Sequence, residues 1–570
     1  MPPVTWKLAV ATAGNAGSVQ EKPRPLPLKP PEQVQAERTV LVAAALFALT
    51  GLLLQWWRLQ VLTASYDQGI FLQTIWSGLH GHPFESTLSS QLSTNVIHAG
   101  EPPSLGYHRL GQHFTPALLL WVPLVGLLGI WALPLVQVGL MTAAGLVLHR
   151  IARERLEDPW LAAFLACSFF GANAVIGPTL GNFTDLSQLP LAVLLLWYGL
   201  QRRNWWLVAL AALAVPMIRE DTGVLLVGVS LWILVRQRQR WPLALGLAVM
   251  GLGWVLLVTN VLMPLFSDDN SRRFMVENFG QYLDDAEQAS SLEVLLKALG
   301  QPLVVLRELI WPPGETLRYL LAQGLPLMLV PLISLDSWLL MGLPLLGLLL
   351  AQGSNNPLSI NLRYALLVVP GLFAGAIEWW SRHPQTFARR RLRRVWSGCI
   401  ALSLLFTLLA NPNRSLSFLI PDSIDPWVYS SPPRQWSHGA NARDLLRLIP
   451  DGASVAATTP LIPHLAQRPV LIRFPNGVIY RDRQGRDNAV DWIAVDLDWL
   501  RRYEVAFPSD REALENSLEA LSSLPEPYGV RAFSDGVVLL QRNQPDVMPA
   551  RRQLEELIGS IQQQLNSHPD

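Results

Sequence analysis

Residues 39–58 read TVLVAAALFALTGLLLQWWR, an apolar run that ends in two tryptophans and one arginine. A helix of about 20 apolar residues spans the hydrocarbon core of a bilayer, and indole rings favour its boundary with the headgroups. This run therefore predicts a membrane span. The composition agrees, because 50% of the 570 residues are hydrophobic and only 15% are charged, a balance more apolar than a soluble core can hide.

The same kind of apolar window recurs along the chain. Further spans are predicted near 131–149, 159–177, 187–201, 205–219, 222–236, 241–262, 317–334, 336–351, 362–380 and 394–411. The predicted fold is mainly α, a polytopic transmembrane helix bundle of about 11 spans, followed by a C-terminal extracytoplasmic α/β domain.

Basic residues in the short loops give the orientation. Lysine and arginine stay on the cytoplasmic side of a membrane. Four basic clusters share one face if the N-terminus is cytoplasmic: HRIARER at 149–155, QRRN at 201–204, RQRQR at 236–240 and RHPQTFARRRLRR at 382–394. Residues 60–130, 263–316, 352–362 and everything after 411 then lie outside. Counting 113–130 as a span would reverse the later loops, so we expect this segment to lie as a helix in the outer interface.

The chain divides into five predicted regions. Residues 1–38 are polar and rich in proline, which predicts a disordered cytoplasmic tail. The transmembrane domain covers 39–411 with a long first extracytoplasmic loop at 60–130, and a linker covers 412–435. Short β-rich runs and helical patterns predict an extracytoplasmic α/β domain at 436–545, and 546–570 is predicted as a C-terminal helix and tail.

Composition and motifs exclude several classes of function. The net charge of +1 gives no support for nucleic-acid binding. Cys167 and Cys399 lie far apart in apolar runs, so we expect neither a structural disulfide nor a thiolate metal cluster. The chain has no Gly-rich phosphate loop, HExxH or CxxC motif.

Asp67 is the most unusual ionisable residue of the predicted outer face. It lies in ASYDQGIFLQTIWSGLHGHPFEST, at 64–87, just after the first span. A carboxylate at the lip of a hydrocarbon segment is costly unless it is hydrated, paired or functional. Its apolar and aromatic neighbours favour a fixed, functional carboxylate.

Other polar residues collect at the same predicted face. Asp185 precedes the fourth span, where it either contributes to a site or caps the helix. IREDTG at 218–223 supplies Arg219, Glu220 and Asp221, which either belong to a site or form an ion-paired turn. Arg363 and Tyr364 begin the tenth span. One concave site could collect several of these side chains.

Three histidines of the first loop raise the question of a metal site. His98, His108 and His113 do not share one helical face, so their spacing does not favour a metal site.

Four stretches carry a resemblance to a known family. They are YDQGIFLQTIWSGLHGHPFESTL at 66–88, HFTPALLLWVPL at 113–124, REDTGVLL at 219–226 and LIPDGASVAATTPLIPHLAQRPVLIRFP at 448–475. In this order they resemble the domain-of-unknown-function 2079 family of bacterial membrane proteins. That family looks related to class C glycosyltransferases, polytopic enzymes that use lipid-phosphate-linked sugars.

The resemblance implies a function and a location. It implies an inverting hexosyl or pentosyl transfer from a polyprenyl-phosphate-type donor to an extracytoplasmic acceptor. The protein would lie in the bacterial plasma (inner) membrane, with the bilayer and a lipid-linked sugar donor as partners and no nucleic acid.

The resemblance also implies roles for the residues named above. Asp67 would be the catalytic base, and Glu220 and Asp221 would be further catalytic carboxylates. Substrate-binding roles fall to Tyr66, His113, Asp185, Arg219, Arg363 and Tyr364. Cofactors stay unknown, and the resemblance allows a divalent metal ion held by Glu220, Asp221 or Asp185.

Two other classes of function stay open. A transporter or flippase would need ionisable residues along a path through the membrane and often an inverted repeat, whereas the unusual residues gather at one face. A non-catalytic scaffold with an extracytoplasmic binding domain predicts that Asp67 is dispensable.

Overall fold

The computed structural model describes residues 30–96, 101–267, 270–283, 289–351 and 358–567. A long helical part is followed by a region that contains a β-sheet, as the sequence predicts. The α-helices of the first part are α1 Pro30–Gln60, α2 Tyr66–Leu79, α3 Thr87–Val96, α4 Val122–Leu128, α5 Ala132–Arg155, α6 Pro159–Phe170, α7 Asn173–Leu180, α8 Leu189–Arg202, α9 Trp205–Ile218, α10 Gly223–Arg236, α11 Trp241–Leu257, α12 Asn270–Phe279, α13 Ser291–Gly300, α14 Pro302–Glu308, α15 Pro313–Gly324, α16 Val330–Ile333, α17 Leu335–Leu350, α18 Val369–Arg382, α19 Pro384–Phe387 and α20 Arg390–Ala410.

Within the described residues, five helical segments are long and apolar enough to cross a membrane. They are Pro31–Gln60, Pro116–Arg155, Pro159–Leu180, Arg238–Leu265 and Arg390–Ala410. Shorter apolar helices cover Trp205–Ile218, Gly223–Arg236 and Leu335–Leu350. The predicted number of about 11 spans stays a prediction.

Short polar turns separate the apolar helices and set where each begins. Asp158 caps α6 by accepting hydrogen bonds from the backbone N–H groups of Trp160 and Leu161 at 2.8 and 3.2 Å. Asn204 caps α9 by accepting from the N–H of Leu207 at 3.2 Å. Such caps satisfy amide groups that have no partner inside the helix.

Two predicted boundaries are wrong. The predicted span at 317–334 is broken, because α15 ends at Gly324 and Met328 and Leu329 take left-handed φ angles of 56° and 60° before α16. The predicted disordered tail extends too far, because α1 begins at Pro30. Residues 1–29 of that tail lie outside the described residues.

The segment 113–130, predicted as an interfacial helix, is helical in short pieces. A 3₁₀ helix covers Pro116–Trp121 and is followed by α4, which packs against α2. Gly129, with φ of +55°, separates this segment from α5. Val125 is buried and Leu127 is exposed. Its position relative to a bilayer stays a prediction.

Two of the four basic clusters meet at a buried carboxylate. Asp336 accepts hydrogen bonds from Arg236 at 2.8 and 3.0 Å and from the indole N–H of Trp232 at 2.8 Å. Arg382 contacts the same carboxylate. The clusters at 236–240 and 382–394 therefore lie at one end of the bundle.

The other two basic clusters join that end through further ion pairs. Arg202 contacts Glu154 at 2.8 Å. Arg155 donates to both carboxylate oxygens of Glu378 at 3.1 and 2.8 Å, and Glu378 lies one turn before Arg382 in α18. All four clusters thus occupy one end of the bundle, which we call the basic end.

The C-terminal region is an α/β domain. Its central sheet has the order β4-β3-β7-β9-β8, with β3 parallel to β4 and β7, and β9 antiparallel to β7 and β8. Its elements are β1 Ser423–Ile424, β2 Trp427–Val428, α21 Pro432–Leu446, β3 Val455–Ala457, α22 Ile462–Leu465, β4 Leu471–Arg473, β5 Ile479–Arg481, β6 Asp487–Ala489, β7 Trp492–Asp496, α23 Leu497–Tyr503, α24 Pro508–Ser522, β8 Tyr528–Ser534, β9 Val537–Arg542 and α25 Met548–Ser567.

The limits of this domain are wider than predicted. Helix α21 begins at Pro432, inside the predicted linker. Helix α25 buries Leu554 and Ile561 in the same hydrophobic core as the sheet, so the segment predicted as a separate C-terminal helix belongs to the domain.

The C-terminal domain packs against the first loop at the end of the bundle opposite the basic end. Gln73 of α2 donates to the carbonyl oxygen of Arg468 at 3.1 Å, and Thr87 donates to that of Leu471 at 2.7 Å. His464 contacts the carbonyl oxygen of Leu59, at the end of α1, at 2.9 Å. The first loop and the C-terminal domain therefore share one side of the molecule, and its extracytoplasmic location stays a prediction.

Candidate functional site

A small polar cavity lies where the first loop meets the ends of α9 and the segment before α18. Its volume is about 30 Å³, which is room for about two ordered water molecules. Segments far apart in the sequence supply its lining, which consists of Asp67, Ile70, Phe71, Leu92, Arg109, His113, Asp185, Arg219 and Arg363. Five of these residues are candidates from the sequence analysis.

Asp67 lies in the first turn of α2 and faces this cavity. Its Oδ2 atom accepts a hydrogen bond from Nη1 of Arg363 at 2.6 Å, and its side chain is 38% exposed. The start of α2 is held in place by Asn182, which bonds the hydroxyl and the backbone N–H of Ser65 at 2.6 and 3.1 Å. The carboxylate at the lip of the first helix is therefore both paired and partly open to water.

Asp185 reaches the cavity from the segment before α8. It is 2% exposed, and its Oδ1 atom accepts from the N–H of Leu186 at 2.9 Å. The hydroxyl of Thr184 accepts from the same N–H at 3.1 Å. Asp185 thus lines the cavity as the first residue of a 3₁₀ turn that Thr184 caps, and among the described residues no side chain caps α8.

The Arg219–Asp221 turn forms a compact ion-paired unit. Arg219 donates from Nε and Nη2 to the two oxygens of Asp221 at 2.8 and 2.5 Å. Glu220 accepts from the N–H of Phe114 at 2.9 Å and contacts Nδ1 of His113 at 2.9 Å. Asp221 therefore orients Arg219, and Glu220 orients His113, while neither acid lines the cavity.

Tyr364 is placed beside two of the cavity arginines. The guanidinium carbons of Arg363 and Arg219 lie 5.1 and 5.7 Å from the centre of its ring. At this distance the negative ring face attracts a cation. Tyr364 thus supports the arginines without lining the cavity.

Tyr66 and His108 lie apart from the cavity lining. Tyr66 is buried, and its hydroxyl donates to the carbonyl oxygen of Leu88 at 2.5 Å. The predicted substrate-binding role of Tyr66 thus receives no support from its position. His108 stacks on Phe266 at 4.6 Å between ring centres, and His98 lies outside the described residues.

Arg109 is a cavity residue that the sequence analysis missed. It is 4% exposed, and its guanidinium carbon lies 4.7 Å from the centre of the Phe71 ring. Its Nη1 atom donates to the hydroxyl of Ser89 at 3.3 Å. Burial lowers the pKa of Arg109. Its position between His108 and His113 could have drawn attention to it. A sequence pattern, however, does not show that a loop arginine is buried.

The carboxylates of the site do not fit a divalent metal ion. Glu220 and Asp221 already use both oxygens in the contacts above. Across the described ranges, no group of three or more His, Cys, Asp or Glu side chains is arranged to hold a metal. We therefore assign no step of a reaction to a metal ion.

Comparison with known families gives the class of the chain. The family model described as "Predicted membrane protein (DUF2079)" matches residues 58–539. The chain belongs to the DUF2079 family. The matched region of this DUF2079 protein contains every residue that lines the cavity. A search of curated proteins finds no match. Family membership identifies a predicted membrane protein and assigns no activity.

Proposed function

We propose that this DUF2079 protein is an integral-membrane glycosyltransferase that moves a sugar from a polyprenyl-phosphate-type lipid to an extracytoplasmic acceptor. The observation that supports this proposal is the convergence of Asp67 and Asp185 with Arg219 and Arg363 on one cavity. A carboxylate next to guanidinium groups suits a reaction that removes a proton from one substrate and leaves negative charge on another. We propose further that the cavity opens on the extracytoplasmic side, since the basic end faces the cytoplasm by the charge rule.

In the proposed reaction Asp67 is the general base. It takes the proton of an acceptor hydroxyl while the acceptor oxygen forms a bond to the anomeric carbon. The bond from that carbon to the donor phosphate oxygen breaks, and its electron pair leaves with the lipid phosphate. A single displacement of this kind inverts the anomeric centre. Arg219 and Arg363 stabilise the leaving phosphate, because a guanidinium presents two parallel donors to phosphate oxygens.

The ion pair between Asp67 and Arg363 sets the order of these events. Arg363 engages the Oδ2 atom of Asp67 in this pair, so that oxygen is not free to accept a substrate proton. A donor phosphate competes for Arg363 and so releases Asp67. Asp221 and Glu220 act as positioning residues for Arg219 and His113.

The decisive experiment replaces Asp67 with asparagine. Cells that lack the gene would be complemented with wild-type protein, with Asp67→Asn or with the control Asp444→Asn, and their glycolipids and cell-envelope glycans would be compared by mass spectrometry. Asp444 is a well-exposed carboxylate of the C-terminal domain, so its variant should match wild type. Asp67→Asn should match the deletion strain.

Two results would contradict the proposal. An unchanged glycan profile in the deletion strain would contradict the proposal that the protein is a glycosyltransferase. A wild-type profile with Asp67→Asn at normal protein level would favour the non-catalytic scaffold.

A further inference from the structure

Three arginines line the cavity, and they differ in how their charge is balanced. Arg363 is paired with Asp67, and Arg219 is paired with Asp221. Arg109 forms no ion pair with any side chain in the described part of the chain, and its Nε atom is buried without a hydrogen-bond partner. Arg109 is therefore the guanidinium of this cavity that has spare donors and no ion-paired carboxylate among the described residues.

The surroundings of Arg109 make those spare donors costly. A guanidinium has five N–H donors in a planar fork, and the only hydrogen bond of this side chain among the described residues is the 3.3 Å contact to Ser89. The face of Phe71 offers the cation a weak electrostatic contact and no acceptor. A buried charge whose donors are unused is destabilising unless a partner satisfies them.

We propose that Arg109 is an anion ligand of the cavity and binds a phosphoryl group together with Arg219 and Arg363. This inference rests on the proposed function, because it names the residue that first receives the donor phosphate. Arg109 can bind the anion without giving up a carboxylate, whereas Arg363 must exchange Asp67 for it.

The placement of the guanidiniums favours a phosphoryl group as the ligand. The cavity lining carries three arginines and two aspartates, and Asp221 pairs with Arg219 from outside the lining, so the directions of the donors distinguish the ligand and an excess of positive charge does not. The three arginines come from the first loop, the end of α9 and the segment before α18. A tetrahedral phosphoryl group offers oxygens in several directions, whereas a planar carboxylate offers two oxygens in one plane.

The test measures binding of a phosphorylated lipid to the purified full-length protein in detergent. Farnesyl phosphate, inorganic phosphate and farnesol would each be titrated by calorimetry against wild type, Arg109→Gln, Arg109→Lys and Arg468→Gln. Arg468 is the matched control, because it is equally buried but binds backbone carbonyls in the C-terminal domain. Removing hydrogen bonds between charged partners should weaken binding of farnesyl phosphate by about tenfold to a hundredfold in Arg109→Gln.

The other variants and ligands distinguish a loss of affinity caused by the missing charge from one caused by misfolding. Arg109→Lys keeps the charge but loses the fork, so its affinity should fall between those of wild type and Arg109→Gln. Arg468→Gln should bind as wild type does. Farnesol should bind weakly and equally to all four proteins. Inorganic phosphate that binds as tightly as farnesyl phosphate, with the same dependence on Arg109, would identify the free anion as the ligand.

Wild-type affinity for farnesyl phosphate in both Arg109 variants would overturn the inference, and so would an equal loss in Arg468→Gln. The proposed transferase is judged separately, by the glycan profile of Asp67→Asn. A protein that binds farnesyl phosphate through Arg109 while Asp67→Asn leaves that profile normal would keep the anion site and lose the transferase. If Asp67→Asn abolishes the glycan product while Arg109→Gln keeps full affinity for farnesyl phosphate, the transferase is kept and the anion site at Arg109 is lost.

Discussion

His438 in the C-terminal domain provides a stability test that can be calculated from its ion pairs. Its side chain is 4% exposed and lies between two carboxylates, with Nε2 2.9 Å from Asp496 and Nδ1 3.1 Å from Asp535. Asp498 lies 3.7 Å from Nδ1, and Arg434 faces the same acids. Burial alone would lower the pKa of His438, but the carboxylates outweigh it and raise that pKa to about 10.

The sign of the effect follows from this raised pKa. A histidine that binds its proton more tightly when folded stabilises the fold at pH values below its unfolded pKa of about 6.5. That contribution is lost as the pH rises toward about 10. With these two values, the free energy of unfolding should fall by about 2–3 kcal/mol between pH 7 and pH 9.

The assay is chemical unfolding of the full-length protein in detergent, followed by tryptophan fluorescence across this pH range. His438→Gln leaves Asp496, which is fully buried, without its cation, and should lower the free energy of unfolding by about 3–5 kcal/mol at pH 7. The variant should also lose most of the pH dependence. The reasoning is refuted if the wild-type free energy stays constant from pH 7 to pH 9, or if wild type and variant show the same slope.

Two further predictions concern the contact between α2 and the C-terminal domain and the orientation of the chain. A Cβ atom at Gly69 would lie 2.3 Å from Cγ2 of Ile462, whereas one at Gly246 in α11 would meet nothing within 4 Å. Gly69→Ala should therefore lower the thermal unfolding temperature and the activity, and Gly246→Ala should change neither; equal behaviour of the two would contradict close packing at Gly69. A C-terminal reporter that is active only outside the cytoplasm should give a signal, and its silence would reverse the assigned orientation.

Much of the architecture could be predicted because it depends on local properties of the chain. Apolar windows locate most helices, and the basic loops predict that four clusters share one end, which the contacts of Asp336, Glu378 and Glu154 confirm. The predicted span at 317–334 failed for a different reason. Its apolar composition is that of a helix, but composition does not predict the left-handed backbone angles at Met328 and Leu329.

The candidate site was predictable only in part. A shared end of the bundle predicts one site for the polar residues at the starts and ends of the outer helices. Four of them line the cavity: Asp67, Asp185, Arg219 and Arg363. Glu220, Asp221 and Tyr364 do not line it and contact lining residues instead. The specific partners could not be predicted, because the pair of Asp67 and Arg363 is separated by 296 residues. Arg109 was missed because a loop arginine is normally exposed.

The pairing of charges in the site explains why we assign Arg109 a role in anion binding although it lies in a loop. Buried ions are tolerated when each has a partner, and this rule holds for Arg363 with Asp67 and for Arg219 with Asp221. Those pairs satisfy the site when no ligand is bound. Arg109 does not follow the rule, so an anion that enters the cavity gains most at Arg109 and then competes with Asp67 for Arg363. In the proposed mechanism, binding at Arg109 is the step that leads to release of the Oδ2 atom of Asp67.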